Sequence, residues 1–325
     1  MVNYTTNYLG IQLKNPVIVS SSGLTENVAK IEKLALSGAG AVVLKSLFEE
    51  QIRMEAGSIL HGSDYPEAQD YIEAYVKSNA LETYLKLISD TKSKVDIPVI
   101  ASINCISSSE WVSFAKNMQD AGADALELNV FIMPSGPIET GSKYEEIYYS
   151  ILDAIRKVIT IPVAVKIGQN FSSIPYFIDR LNAFGAKGVV LFNRFYAPDI
   201  NLDTFEFGSS EILSNPSDIR QSLRWVGIVS SLVPRIDVCA STGIHDANAV
   251  IKQILAGAQA VQVCSVLYKN GPDYLKVILS DIDKWMKKNN FSDIKEIRGR
   301  MSYKNIPDPA VFERAQFMKY FSKYT

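Results

Sequence analysis

Residues 121–130 read Ala121-Gly122-Ala123-Asp124-Ala125-Leu126-Glu127-Leu128-Asn129-Val130. Two structural signals meet here. The preceding residues, 109–121, place Trp111, Phe114, Ala115 and Met118 at the spacing of one helix face. Gly122 then supplies the left-handed stop that ends helices. The apolar run that follows is short and nearly continuous, the pattern of a strand covered on both faces, as in a parallel sheet. The stretch therefore reads as helix, Gly-Ala turn, buried strand.

The same rhythm repeats on either side. Ser37-Gly38-Ala39-Gly40 leads into Ala41-Val42-Val43-Leu44-Lys45, Phe184-Gly185-Ala186-Lys187 into the run 188–193, and Ala256-Gly257-Ala258 into the run 260–264. Further apolar runs cover 17–20, 98–103, 163–167 and 236–240, making eight with 125–130. Helical patterns fill the gaps at 29–37, 144–159 and 246–256. Eight strands alternating with helices predict an α/β chain folded as a closed (β/α)8 TIM barrel. An open doubly wound sheet is the alternative. It would normally carry a Gly-rich fingerprint after the first strand, which Ser20-Ser21-Ser22-Gly23 does not match.

Residues 4–15 alternate in polarity and predict a hairpin that closes the barrel bottom. Two insertions are expected as long loops, 48–79 after the second strand and 194–216 after the sixth, both on the active face. The whole chain, 1–325, reads as a single domain.

The 325 residues are 47% hydrophobic, with 33 Lys plus Arg against 35 Asp plus Glu. This near balance offers no footprint for nucleic acid, and no basic cluster suggests a membrane surface. No apolar run spans a bilayer, and the first residues lack the features of a secretory signal. Cys105, Cys239 and Cys264 fit neither a zinc site nor a disulfide framework and read as small buried hydrophobes. His61 and His245, the two histidines, read as surface or capping residues, so no metal site is expected. A cytoplasmic location is the default expectation.

In this fold the active site lies at the C-terminal strand ends. The polar residues there are Ser20, Ser21 and Ser22, Lys45 and Ser46, Asn104, Asn129, Lys166, Asn193, Ser241, Thr242 and Gly243, and Ser265. Lysines at apolar strand ends need a partner, and a bound anion would supply one; snorkelling to the rim is the alternative. Asn129 and Asn193 offer paired donors and acceptors for a planar heterocycle, or cap their own strand ends. The segment 240–246, Ala-Ser-Thr-Gly-Ile-His-Asp, allows close backbone approach to a phosphate, or forms an ordinary helix cap.

Asn15-Pro16, Lys45-Ser46, Ala101-Ser102-Ile103-Asn104-Cys105, the stretch 121–129, Val165-Lys166, Gly243-Ile244 and Val261-Gln262-Val263-Cys264-Ser265 together resemble the class 1 dihydroorotate dehydrogenase family. They are also similar to the FMN domain of dihydropyrimidine dehydrogenase. The resemblance spans nearly the whole barrel and implies an FMN-dependent oxidoreductase of pyrimidine metabolism acting on a small molecule such as dihydroorotate. It implies that Ser20 to Gly23 line the isoalloxazine and that Lys45 contacts flavin and substrate. Asn129 and Lys166 would bond the flavin or its ribityl chain, and Asn193 the pyrimidine. Ser241, Thr242, Gly243, Cys264 and Ser265 would hold the phosphate. Soluble members are often homodimers, so a homodimer is expected.

Two departures bear on activity. The family follows Glu-Leu-Asn with a loop of the form Leu-Ser-Cys-Pro-Asn, whose Cys or Ser takes the substrate proton. Here Val130-Phe131-Ile132-Met133-Pro134-Ser135-Gly136 follows, placing Ile132 or Met133 at the base position. Neither accepts a proton, and Ser135 substitutes only if the loop is rebuilt. The segment 63–67, Ser-Asp-Tyr-Pro-Glu, replaces the family's Asn-rich substrate loop with acidic residues, while Arg194 after Asn193 could pair an anion. An active dehydrogenase and a flavin-binding protein with a binding or regulatory role are both consistent with these residues. A non-flavin barrel for a phosphorylated metabolite is the third reading.

Overall fold

The computed structural model describes residues 2–60, 66–105, 108–194, 198–209 and 211–313. The chain opens with β1 (Thr6–Tyr8) and β2 (Ile11–Leu13), followed by β3 (Val17–Val19), α1 (Val28–Leu36), β4 (Ala41–Val43) and β5 (Leu47–Phe48). Next come α2 (Glu49–Leu60), α3 (Pro66–Lys94), β6 (Val99–Asn104), α4 (Ser108–Asp120), β7 (Ala125–Asn129), α5 (Gly141–Arg156), β8 (Val163–Ile167), α6 (Ile174–Ala183) and β9 (Gly188–Leu191). The last third holds β10 (Pro198–Asn201), β11 (Glu206–Ser209), α7 (Ile219–Leu232), β12 (Asp237–Ser241), α8 (Ala247–Ala256), β13 (Ala260–Val263), α9 (Ser265–Asn270), α10 (Tyr274–Lys288) and α11 (Ala310–Glu313).

Eight of these strands form a closed circuit. β3, β4, β6, β7, β8, β9, β12 and β13 each pair in parallel with the next, and β13 returns to β3. This is the (β/α)8 barrel expected from the eight apolar runs. Residues facing outward, such as Val42, Leu126, Val165 and Val189, pack under the helices in the larger core. Residues facing inward form a second core inside the barrel.

That inner core explains the first hairpin. The inward positions at the N-terminal end are mostly small: Ala41, Ala125, Ala164 and Ala260. The space is filled from below by Tyr8, Leu9 and Leu13 of the β1–β2 hairpin, all nearly fully buried. At Gly188 a Cβ would lie 2.4 Å from Leu9 Cδ2, so the missing side chain makes room for the plug. Leu9, in the turn with φ 59°, donates its N–H to Asp237 Oδ2 at 2.7 Å, and Thr6 Oγ1 donates to the Gln259 carbonyl at 2.9 Å. The floor of the barrel is therefore closed, and ligand access is left to the opposite end.

The insertion after β4 departs from expectation. Residues 48–79, read as a long loop, contain α2 and the first half of α3. After Pro66 the stretch to Lys94 has no Gly or Pro and is rich in Ala, Leu, Glu and Lys, which are strong helix formers. Tyr84, Ile88 and Thr91 bury one side of α3, and the Tyr84 hydroxyl donates to the Ser102 carbonyl and accepts from the Ser102 N–H. The insertion after β9 holds the β10–β11 hairpin, which stands in solvent with Leu202, Phe205 and Phe207 exposed. No described helix is long and apolar enough to cross a membrane.

Candidate functional site

Above the floor the inward-facing residues change from apolar to polar. Two residues after Ala125, Ala164 and Ala260 come Glu127, Lys166 and Gln262, all buried. They meet inside the barrel. Lys166 Nζ donates to Gln262 Oε1 at 2.9 Å and to Ser20 Oγ at 3.1 Å, and lies 3.7 Å from Glu127 Oε1. Gln262 Nε2 donates to Glu127 Oε2 at 2.5 Å, and Ser20 Oγ donates to Gln262 Oε1 at 3.0 Å. A buried charge of either sign is costly unless paired and hydrogen-bonded, and here the pair sits within one bonded unit. Beside it runs a hydroxyl chain: Ser21 Oγ lies 3.1 Å from Ser46 Oγ, which lies 2.7 Å from Ser102 Oγ.

This unit is the base of a cavity of about 610 Å³, within the range of roughly 300–1,000 Å³ common for small-molecule sites. The cavity runs from Lys166 and Gln262 towards the ends of β12 and β13. There Thr242 takes φ 74° and donates its hydroxyl to the Phe192 carbonyl at 3.0 Å. Gly243 follows with φ 77°, and a Cβ on it would sit 2.1 Å from the Ile219 nitrogen. No other residue type fits that position without moving the backbone. Gly243 and Ile244 are buried, and among the described residues their N–H groups find no protein acceptor. Buried donors of this kind call for a ligand or ordered solvent.

The far wall comes from Leu213 and Ser214. Ser214 is buried and fixed from three sides: its N–H donates to Ser265 Oγ at 2.9 Å, its carbonyl accepts from Lys269 Nζ at 3.2 Å, and its hydroxyl lies 2.9 Å from His245 Nε2. His245 is thus neither a surface nor a capping residue. Burial, helped by the Lys269 charge, pushes its pKa below the ordinary value, and Asp246 is the side chain that caps α8. Cys264 also lines the cavity; it is half-buried, and burial raises its thiol pKa. Cys105 and Cys239 are buried as expected.

At the rim Asn193 Nδ2 donates to Asn129 Oδ1 at 2.5 Å. Arg194 borders both this cavity and a neighbouring hollow of about 480 Å³; it donates to the Glu211 carbonyl and lies 3.7 Å from Asp218 Oδ2. Lys45 stands apart from the cavity lining. It is exposed, with Nζ 3.4 Å from Glu26 Oε2, and Lys30 binds the other Glu26 oxygen. These two lysines hold the Glu26 carboxyl below its usual pKa. Asn104 is half-buried at the end of β6. The loop after β7 runs along the surface: Ile132 packs partly against the core, Met133 and Ser135 are exposed, and the Tyr148 hydroxyl anchors the loop through the Val130 carbonyl at 3.2 Å.

Of the residues singled out from the sequence, Ser20, Ser21, Lys166, Asn193, Ser241, Thr242, Gly243, Cys264 and Ser265 line one cavity. Ser46 and Asn129 touch that set through hydrogen bonds, and Ser22 donates to the Ser20 carbonyl. Gly23 faces Tyr268, whose hydroxyl would lie 2.9 Å from a Cβ there. His61 lies outside the described residues, as do Ser63, Asp64 and Tyr65 of the acidic segment. Sequence reasoning missed Glu127 and Gln262 as site residues, along with Leu213 and Ser214. The period of two would have found the first pair, since Ala125, Glu127 and Asn129 must share one face, as must Ala260, Gln262 and Cys264.

The family model described as "Dihydroorotate dehydrogenase" matches residues 3–286. The chain is similar to proteins named dihydroorotate dehydrogenase B (NAD(+)), catalytic subunit, from three archaea. That of Thermoplasma acidophilum is 28% identical over 92% of this chain and 99% of the relative. That of Methanocaldococcus jannaschii is 27% identical over 90% and 96%. That of Pyrococcus abyssi is 29% identical over 90% and 97%.

Proposed function

The chain belongs to the dihydroorotate dehydrogenase family, and from that premise we propose that it is an FMN-dependent oxidoreductase whose one barrel domain oxidises dihydroorotate or a related cyclic amide. The observation that carries this reading is the Lys166–Gln262–Ser20 cluster at the base of a cavity whose other end offers unpaired buried N–H groups at Gly243 and Ile244. A flavin mononucleotide needs polar contacts for its ring edge at one end and anion-binding donors for its phosphate at the other. The residues present fit that demand.

In this reading Lys166 and Asn129 bond the flavin ring edge and ribityl chain, and Ser20 to Gly23 line the ring. Ser241, Thr242, Gly243, Cys264 and Ser265 hold the phosphate through backbone N–H groups and hydroxyls, as dense donor sets hold anions. Asn193, oriented by its bond to Asn129, meets the substrate ring, and Lys45 would have to leave Glu26, its partner outside the cavity lining, to reach substrate. FMN, when bound, supplies the hydride acceptor. Arg194 and the rim lysine are the cations available to an anionic substrate.

The proton side of the reaction is weak in this chain. Ile132 and Met133 carry no basic atom, and Ser135 is exposed on the surface of the loop. General-base catalysis is worth about 100–10,000-fold, so turnover below that of a family member with Cys or Ser is expected by that factor. This observation also favours the second reading, a flavin-binding protein with a binding or regulatory role. The three relatives are named as catalytic subunits of NAD(+) enzymes; here the electrons would pass to a soluble acceptor or a partner chain. A cytoplasmic homodimer completes the proposal.

Anaerobic titration of the FMN-loaded protein with dihydroorotate, followed at the visible flavin band and controlled by photoreduction, tests both readings. Bleaching by dihydroorotate supports the dehydrogenase. A flavin that photoreduces but ignores dihydroorotate removes that substrate and favours the binding role. Failure to take up FMN sinks both.

A further inference from the structure

We propose that Glu127 is a positioning residue that fixes the Gln262 amide and the Lys166 ammonium as one unit, so that Lys166 presents its free N–H to the ligand in the cavity. The part of this that concerns FMN rests on the function proposed above.

Glu127 is 1% exposed in the middle of the barrel, and replacing a buried ion pair with apolar residues is often neutral or stabilising. Several inward positions of the barrel nearby are apolar, including Ile18, Val43, Ile100 and Val190. Stability alone therefore gives no reason for a carboxylate here.

The geometry gives one. An amide can face either way, and Gln262 has its Nε2 on Glu127 Oε2, which turns its Oε1 towards Lys166 and Ser20. A carboxylate at 127 accepts only, so it permits a single amide orientation. A neutral amide at 127 can donate as well, and Gln262 is then free to turn its NH₂ towards the ammonium, where it cannot accept. Lys166 has three N–H donors. Two are taken by Gln262 Oε1 and Ser20 Oγ. The 3.7 Å gap to Glu127 Oε1 is too long for a hydrogen bond, and that oxygen has no other partner among the described residues. Glu127 thus attracts the ammonium by charge without using its third donor, and Lys166 lines the cavity.

The test is a double-mutant cycle of Glu127→Gln and Lys166→Met on the full chain. It is read in the apoprotein by melting temperature, and by FMN titration well below melting through flavin fluorescence and the visible flavin spectrum. Each single variant is expected to melt lower than the parent, and the double variant to recover part of the loss, because it leaves no unpaired buried charge. Glu127→Gln is expected to weaken FMN binding about tenfold and to shift the flavin band when Lys166 is present, and to change neither in the Lys166→Met background, as coupled residues behave. Equal effects of Glu127→Gln in both backgrounds, or unchanged FMN affinity and spectrum with Lys166 present, would overturn the positioning role. If the parent takes up no FMN, the proposed function and the presentation of Lys166 to FMN both fall. The apoprotein cycle then decides the coupling of Glu127 to Lys166 by itself, with additive melting shifts overturning it.

Discussion

Lys45 and Lys166 both stand at the ends of apolar barrel runs, and the chain around each looks alike in sequence. In the fold they occupy different regions. Lys166 faces inward at the centre, 8% exposed in its side chain, with Ser20, Gln262 and Glu127 around it. Lys45 lies two residues beyond β4, in solvent, sharing Glu26 with Lys30. The difference is one of depth. A position two residues above the apolar floor is enclosed by seven other strands, whereas a position beyond the last strand residue meets only the loop that precedes α1. Charge at the first position must be answered inside the protein; at the second, water answers it.

The largest test of that contrast is Lys166→Met. It leaves Glu127 buried without its counter-charge, and breaking a buried pair costs about 3–5 kcal/mol, so a large drop in melting temperature and in denaturation midpoint is expected. A melting curve that does not move would mean that Glu127 is not held as a buried anion. His245 offers an intermediate case, half-buried and close to Lys269. Its folded pKa is lowered, so the unfolded chain takes up a proton more readily. The stability it confers is present above the unfolded value, about 6.5, and is lost as pH falls through the folded value. Melting curves of the parent and of His245→Gln between pH 7.5 and 5 should converge or cross on acidification, the parent losing more. Parallel curves would place His245 with Lys45 instead of Lys166. Lys45→Met is the smallest expected effect: exposed pairs contribute little, so the melting temperature should stay essentially unchanged. High salt should move the NMR titration of Glu26 back towards the ordinary carboxylate value, because screening acts on exposed charges. A Glu26 titration indifferent to salt would show that the rim pair is more enclosed than its exposure implies.

The eight strands were legible because each is a short run of apolar residues, four of them entered through a Gly-Ala turn, and these signals are local. The floor hairpin was legible from its alternation, although the reason it fits, the Ala and Gly layer around Tyr8 and Leu9, is distributed over five strands. The helices after β5 were not legible: among the described residues of α3, Val76, Tyr84 and Ile88 are buried, a stripe too widely spaced among polar residues to mark a face in the sequence. At the site, residues at strand ends could be named because the barrel defines where they go. Glu127 was missed although the period of two turns it inward with Ala125 and Asn129, because the partners that make it part of the site lie at 166 and 262. Ser214 was missed for a similar reason: it lies in an insertion, and only the contacts to Ser265, His245 and Lys269 bring it to the cavity.

The closed floor has a consequence for how the chain is made. The hairpin that plugs it is synthesised well before its anchors, Asp237 and the Gln259 carbonyl, 228 and 253 residues further along. A hairpin forms in about 1–10 μs, while a ribosome adding about 5–20 residues per second needs roughly tens of seconds to reach Gln259. For that interval Tyr8, Leu9 and Leu13 have no barrel to enter. The last strands therefore complete two things at once, the circuit of hydrogen bonds and the burial of the floor hairpin, and a nascent chain stalled short of β13 would leave Tyr8, Leu9 and Leu13 as apolar surface in need of a chaperone.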